Sequence, residues 1–139
     1  MMLAQFSRSV HARQFPNVDA AKYERLRFAR DLKQAELDGV LGMIGTEHSE
    51  RMQTLLDLTS GMNSYGRNLW DGRSESSLAA LSDDDRTQGR IDIGLVRKCL
   101  AHRAQITRLQ AQSERLNAEL APLNRLVIAC ENYVEGLRT

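Results

Sequence analysis

Aromatic residues make up only 5% of this 139-residue sequence, and it has two prolines, two cysteines and three histidines. So few aromatics, set against abundant Leu, Ala, Arg, Gln and Glu, argue against a sandwich or barrel and for helices. The fold class expected is all-α, in a single structural unit. No run approaches the roughly 18–20 consecutive apolar residues that span a bilayer, and Met1–Pro16 lacks the apolar core of a secretory signal. The expectation is a cytoplasmic chain with no membrane span. Met1–Val18 carries Arg8, His11 and Arg13 with no acid before Asp19, a faintly presequence-like composition whose simpler reading is a basic N-terminal arm over residues 1–17.

Catalytic signatures are missing too. There is no G-x-S-x-G, no Gly-rich phosphate loop and no Ser/His/Asp set in a plausible arrangement. The chain is not expected to be an enzyme or to need a cofactor. Basic residues outnumber acidic ones seven to three over residues 1–33, fall to five against ten over 34–90, and recover to seven against five over 91–139. Such a gradient can steer a protein partner, but neither basic stretch has the concentrated, aromatic-interleaved pattern of a nucleic-acid binder.

What is present is periodicity. With Cys99, Ile106, Ser113, Leu120, Val127 and Val134 as a positions, the d positions are Leu95, His102, Leu109, Leu116, Leu123, Cys130 and Leu137. This 3-4 spacing runs without slippage for about six heptads, more than a coiled-coil assignment requires. It predicts a helix over residues 91–138, roughly 70 Å long from Asp92 to Leu137. Pro122 falls at a c position, so its ring disturbs the outer face and a kink is expected with the helix continuing. On such a helix Cys99 and Cys130 lie about 46 Å apart, far beyond the roughly 7 Å that a disulfide allows.

Residues 18–70 read as a first helical arm. Its apolar positions are Tyr23, Leu26, Leu37, Val40 and Ile44, then His48, Met52, Leu55, Met62 and Leu69, and the two runs are out of phase. The steps Ile44 to His48 to Met52 imply a stutter. Gly39, Gly42 and Gly45 sit just before it, predicting a bend near 39–46, a break recapped by Thr46, or a close-packing face. Residues 71–90, with their serines and Asp83-Asp84-Asp85, read as a loop with room for one helical turn at Ser77–Leu81. Two long helices and one loop give an antiparallel helical hairpin, with a bent or broken first helix.

Cys99-x-x-His102 invites a zinc reading, since i and i+3 share a helix face, but a site would need a third ligand such as His48. Both residues also lie on the apolar seam, so packing is the expected role and no metal is assigned. Asp83–Asp85 lacks the alternating ligands of a calcium loop and reads as an acidic run before a helix. Trp70, beside Leu69 and one turn after Tyr65, reads as a plug closing the end of the helix pair. Ile91, Ile93 and Val96 fall off the seam near the loop, either packed under it or exposed as a candidate partner contact.

The second helix reads LVRKCLAHRAQITRLQAQSERLNAELAPLNRLVIACENYVEGL, following a basic N-terminal region and a central loop. This layout resembles the FliJ/YscO-type family, the coiled-coil hairpins of flagellar and type III secretion systems. The resemblance implies a bacterial, cytoplasmic stalk that sits in a hexameric export ATPase and contacts chaperones. The glycine triplet, the three lysines and Pro122 depart from a straight stalk, and no functional residue carries over. The expected function is a non-enzymatic adaptor or stalk component of a secretion or flagellar export apparatus. The alternative is a self-associating helical regulator or chaperone whose hairpins form a four-helix bundle.

Overall fold

A computed structural model of the chain describes residues 18–71 and 74–138, with side chains described from 20 to 133. The basic arm 1–17 and the side chains of Val134 and Leu137 lie outside the described residues. Among the described residues five helices follow one another: α1 (Val18–Gly61), α2 (Ser64–Trp70), α3 (Glu75–Ala79), α4 (Asp83–Gly89) and α5 (Ile93–Arg138). Among the described residues there is no strand, and no helix is long and apolar enough to cross a membrane. The long helices α1 and α5 pack together as an all-α hairpin.

The chain forms two compact units. The first pairs α1 up to Gly39 with α5 from Gln112 onward. Buried here are Leu37 of α1 and Leu116, Leu120 and Val127 of α5, together with Ser113. Leu123 and Cys130 are half-buried. Lys33 Nζ reaches Glu119 Oε2 at 2.9 Å, linking the two helices at the edge of the seam. That hydrogen bond and the Glu119 charge raise the Lys33 ammonium above the ordinary lysine range against a smaller opposing effect of burial. Pro122 lies within α5, which continues through it.

The second unit, Val40–Ala111, holds the rest of both long helices and the three short ones. Its core is Leu58, Met62, Leu78, Ile91 and Val96, with Leu55, Leu69, Trp70 and Leu81 packed against it. Each large aliphatic side chain removed from water in this way contributes about 1.5–3 kcal/mol.

The segment 71–90 is not a loop with one helical turn: residues 75–79 and 83–89 within it form α3 and α4. The serines and aspartates are caps. Ser74 accepts a hydrogen bond from Ser77 N (3.3 Å) and Ser82 from Asp85 N (3.2 Å), starting α3 and α4. Asp83, Asp84 and Asp85 occupy the first turn of α4, where carboxylates meet the positive end of the helix dipole. Asp92 likewise caps α5, accepting from Gly94 N (2.8 Å) and Leu95 N (3.2 Å). At the other end of α4, Arg90 is left-handed (φ 53°), and Ile91 N and Arg90 N return to Arg86 O (2.9 Å) and Thr87 O (3.2 Å). This is the Schellman arrangement, built without its usual glycine.

Gly66 of α2 and Gly89 of α4 bring the two helices into backbone contact: a Cβ on Gly66 would lie 2.1 Å from Gly89 O. Asn63 locks the same junction. Its Oδ1 accepts from Gly66 N (2.9 Å) as the cap of α2, while its Nδ2 donates to Gln88 O (2.5 Å) and its backbone N–H to Gly89 O (3.3 Å). The carbonyls that the end of α4 leaves free are thereby satisfied.

α1 is one helix from Val18 to Gly61, so no break occurs at Gly39, Gly42 and Gly45. These glycines are exposed, and a methyl group added at any of them would meet nothing within 4 Å, so they form no close-packing face.

Candidate functional site

In the second unit the inward positions of α1 are Val40, Ile44, Glu47, Arg51, Thr54 and Leu58, alternating steps of four and three. The stutter expected at His48 and Met52 is absent there. His48 and Met52 face outward, Met52 being 57% exposed, because the heptad passes one position earlier through polar residues. An uninterrupted stripe thus has an ionic middle where the sequence pattern suggested a change of phase.

Two clusters fill that middle. In the first, His102 of α5 faces Glu47 and Glu50, which sit at i and i+3 on one face of α1. His102 Nδ1 lies 2.6 Å from Glu47 Oε2 and 3.8 Å from Glu50 Oε2, and the three side chains are 13%, 23% and 57% exposed. The other ring nitrogen, Nε2, is buried and has no hydrogen-bond partner. In the second cluster the buried Glu75, at the start of α3, accepts from both Arg51 of α1 and Arg103 of α5, the latter at 3.3 Å. Its side chain is only 5% exposed, so one carboxylate ties a short helix to both long ones.

Cys99 lies one turn before His102 and is fully buried. Burial pushes its thiol above the ordinary range, with the Glu75 carboxylate adding to the rise and Arg51 and Lys98 opposing it. A thiol held protonated is a poor metal ligand. The structure therefore separates the two residues that the C-x-x-H spacing joined: His102 turns to the carboxylates of α1, and Cys99 packs as a small apolar residue. His48, the third ligand that spacing called for, is exposed. Neither cysteine is in a disulfide.

Of the other seam positions in this unit, Ile106 and Leu109 are buried and Leu95 is half-buried. Ile91 and Val96, read as a candidate partner contact with Ile93, belong to the core: they are 6% and 0% exposed, and Ile93 packs against them. They offer no surface to a partner. Trp70 is half-buried against the same core, beside the end of α2. Tyr65 instead donates its hydroxyl to Asp85 Oδ1 (2.7 Å), a bond that raises its phenol above the usual tyrosine range.

Glu47, Glu50, Arg51 and Glu75 do not stand out in the sequence. The signal that points to three of them is positional. Continuing the heptad of Leu37, Val40 and Ile44 lands on Glu47 and Arg51, where charge is costly unless paired, and Glu50 follows at i+3.

Compared with protein-family models, curated proteins and solved structures, the chain matches none.

Proposed function

We propose that the chain is a non-enzymatic helical adaptor that works by presenting helix faces to a protein partner. The observation that carries this reading is the exposure of large apolar side chains in the first unit. Phe28 and Leu32 on α1 are 70% and 54% exposed, and Leu126 and Ile128 on α5 are 45% and 52% exposed. Two helices cover one narrow seam and leave these side chains in water, a pattern associated with protein-binding surfaces. The layout resemblance to FliJ/YscO-type hairpins suggests the setting: a stalk or adaptor of a bacterial secretion or flagellar export apparatus, working in the cytoplasm with an export ATPase and chaperones.

The same apolar side chains also suit a second copy of the chain, giving a four-helix bundle with a regulatory or chaperone role. Phe28→Glu with Leu32→Glu separates these readings. For the adaptor, the double variant keeps the wild-type mass in solution and loses co-purification with a hexameric export ATPase. A wild-type dimer converted to monomer by the same variant supports the bundle and overturns the adaptor.

A further inference from the structure

We propose that Glu47, Glu50 and His102 form a binding site for a first-row divalent cation, zinc being the representative, which clamps α1 to α5. Their ligand atoms all lie within 4.8 Å of one another. Carboxylate oxygens and a neutral imidazole nitrogen are both zinc donors, and three protein ligands leave a fourth position for water. Bond lengths of about 2.0–2.2 Å to such ligands place neighbouring donor atoms roughly 3–3.5 Å apart. The observed separations of 2.6 and 3.8 Å from Nδ1 bracket that range, so small rotations of the two glutamates complete the site.

The local charge also favours a cation. Glu47 and Glu50 converge on one imidazole nitrogen, and a single N–H serves only one of them: Glu50 Oε2 at 3.8 Å is beyond hydrogen-bond reach. Arg51, the nearest cation along α1, is committed to Glu75. Among the described residues no Lys or Arg ion pair to Glu47 or Glu50 is present. A divalent cation balances two carboxylates and a neutral ring to zero.

The ligands come from helices separated by 55 residues in sequence between Glu47 and His102. Binding would occur only in the folded chain and therefore stabilise it. A cation here would be a structural clamp and a source of no chemistry that the adaptor reading requires; the inference is independent of any protein partner.

The test uses the full chain stripped with chelator, titrated with zinc chloride by calorimetry and followed by thermal unfolding. The expected result is one zinc per chain and a raised Tm that chelator reverses. Changing a residue that merely supports a ligand costs about 10–100-fold in metal affinity, so His102→Ala and Glu50→Gln should each lose at least about tenfold. His48→Ala should bind as wild type. Glu50 is exposed, so its variant reads the site even if His102→Ala unfolds. Cobalt substitution should give a spectrum without a thiolate charge-transfer band, excluding Cys99. Absence of saturable binding, or binding that survives Glu50→Gln or is lost in His48→Ala, overturns the proposal.

Discussion

Single atoms decide the junction of the short helices. Gly66 has no room for a methyl group, because the carbonyl of Gly89 occupies its place, whereas Gly42 stands in open space on a helix. Gly66→Ala should therefore destabilise the chain by about 3 kcal/mol or more through forced backbone separation, and Gly42→Ala should stabilise it by about 0.5–1 kcal/mol. Urea denaturation followed by circular dichroism distinguishes these opposite signs. Asn63 provides a second contrast. Asn63→Asp keeps the cap acceptor but removes the donor to Gln88 O, and Asn63→Ala removes both. The alanine should cost about 1–2 kcal/mol and the aspartate no less, since it faces a carbonyl with a carboxylate.

The two thiols should also differ in solution. Cys99 is fully buried with its thiol held above the ordinary range, and Cys130 is half-buried. A thiol reagent added to the native protein near neutral pH should modify Cys130 first and Cys99 only on unfolding. Equal rates under native conditions would contradict the packing of Cys99.

At the scale of elements, what the sequence discloses depends on whether a segment is apolar where it is buried. In α5 it is. The a positions Cys99, Ile106, Ser113, Leu120 and Val127 are all buried, so the heptad is legible directly, helix start at Asp92 included. In α1 it is not: Glu47, Arg51 and Thr54 take inward positions, and the neighbouring His48 and Met52 imitate a phase change. Charged residues in a helical stretch are solvated by default, which is why the partners of His102 are hidden in the sequence although His102 itself is conspicuous. The segment 71–90 is ambiguous for another reason. Ser74 and Ser82 sit three residues ahead of Ser77 and Asp85, the spacing of N-caps, but serine and aspartate also mark loops, and only the apolar contacts of Leu78 and Leu81 decide between them.

The Glu75 junction tests the ionic middle of the seam. Glu75→Ala leaves Arg51 without its partner in a largely dry position, 26% exposed. It should cost about 3 kcal/mol, the low end for breaking a buried pair. Arg103→Ala removes the arm that is 58% exposed and should cost less than about 1 kcal/mol. Equal losses in the two variants, measured by denaturant unfolding, would mean that the carboxylate is not held mainly by Arg51.

For the whole molecule, the helical class and the paired long helices follow from composition and from the heptad of α5, while the function rests on what those helices leave uncovered. Phe28, Leu32, Leu126 and Ile128 are exposed, and the adaptor reading holds that a different protein covers them. Light scattering coupled to size-exclusion chromatography, over a range of protein and salt concentrations, tests that claim most directly. The account predicts the mass of one chain throughout; a salt-stable dimer or tetramer would contradict it and assign the exposed faces to self-association.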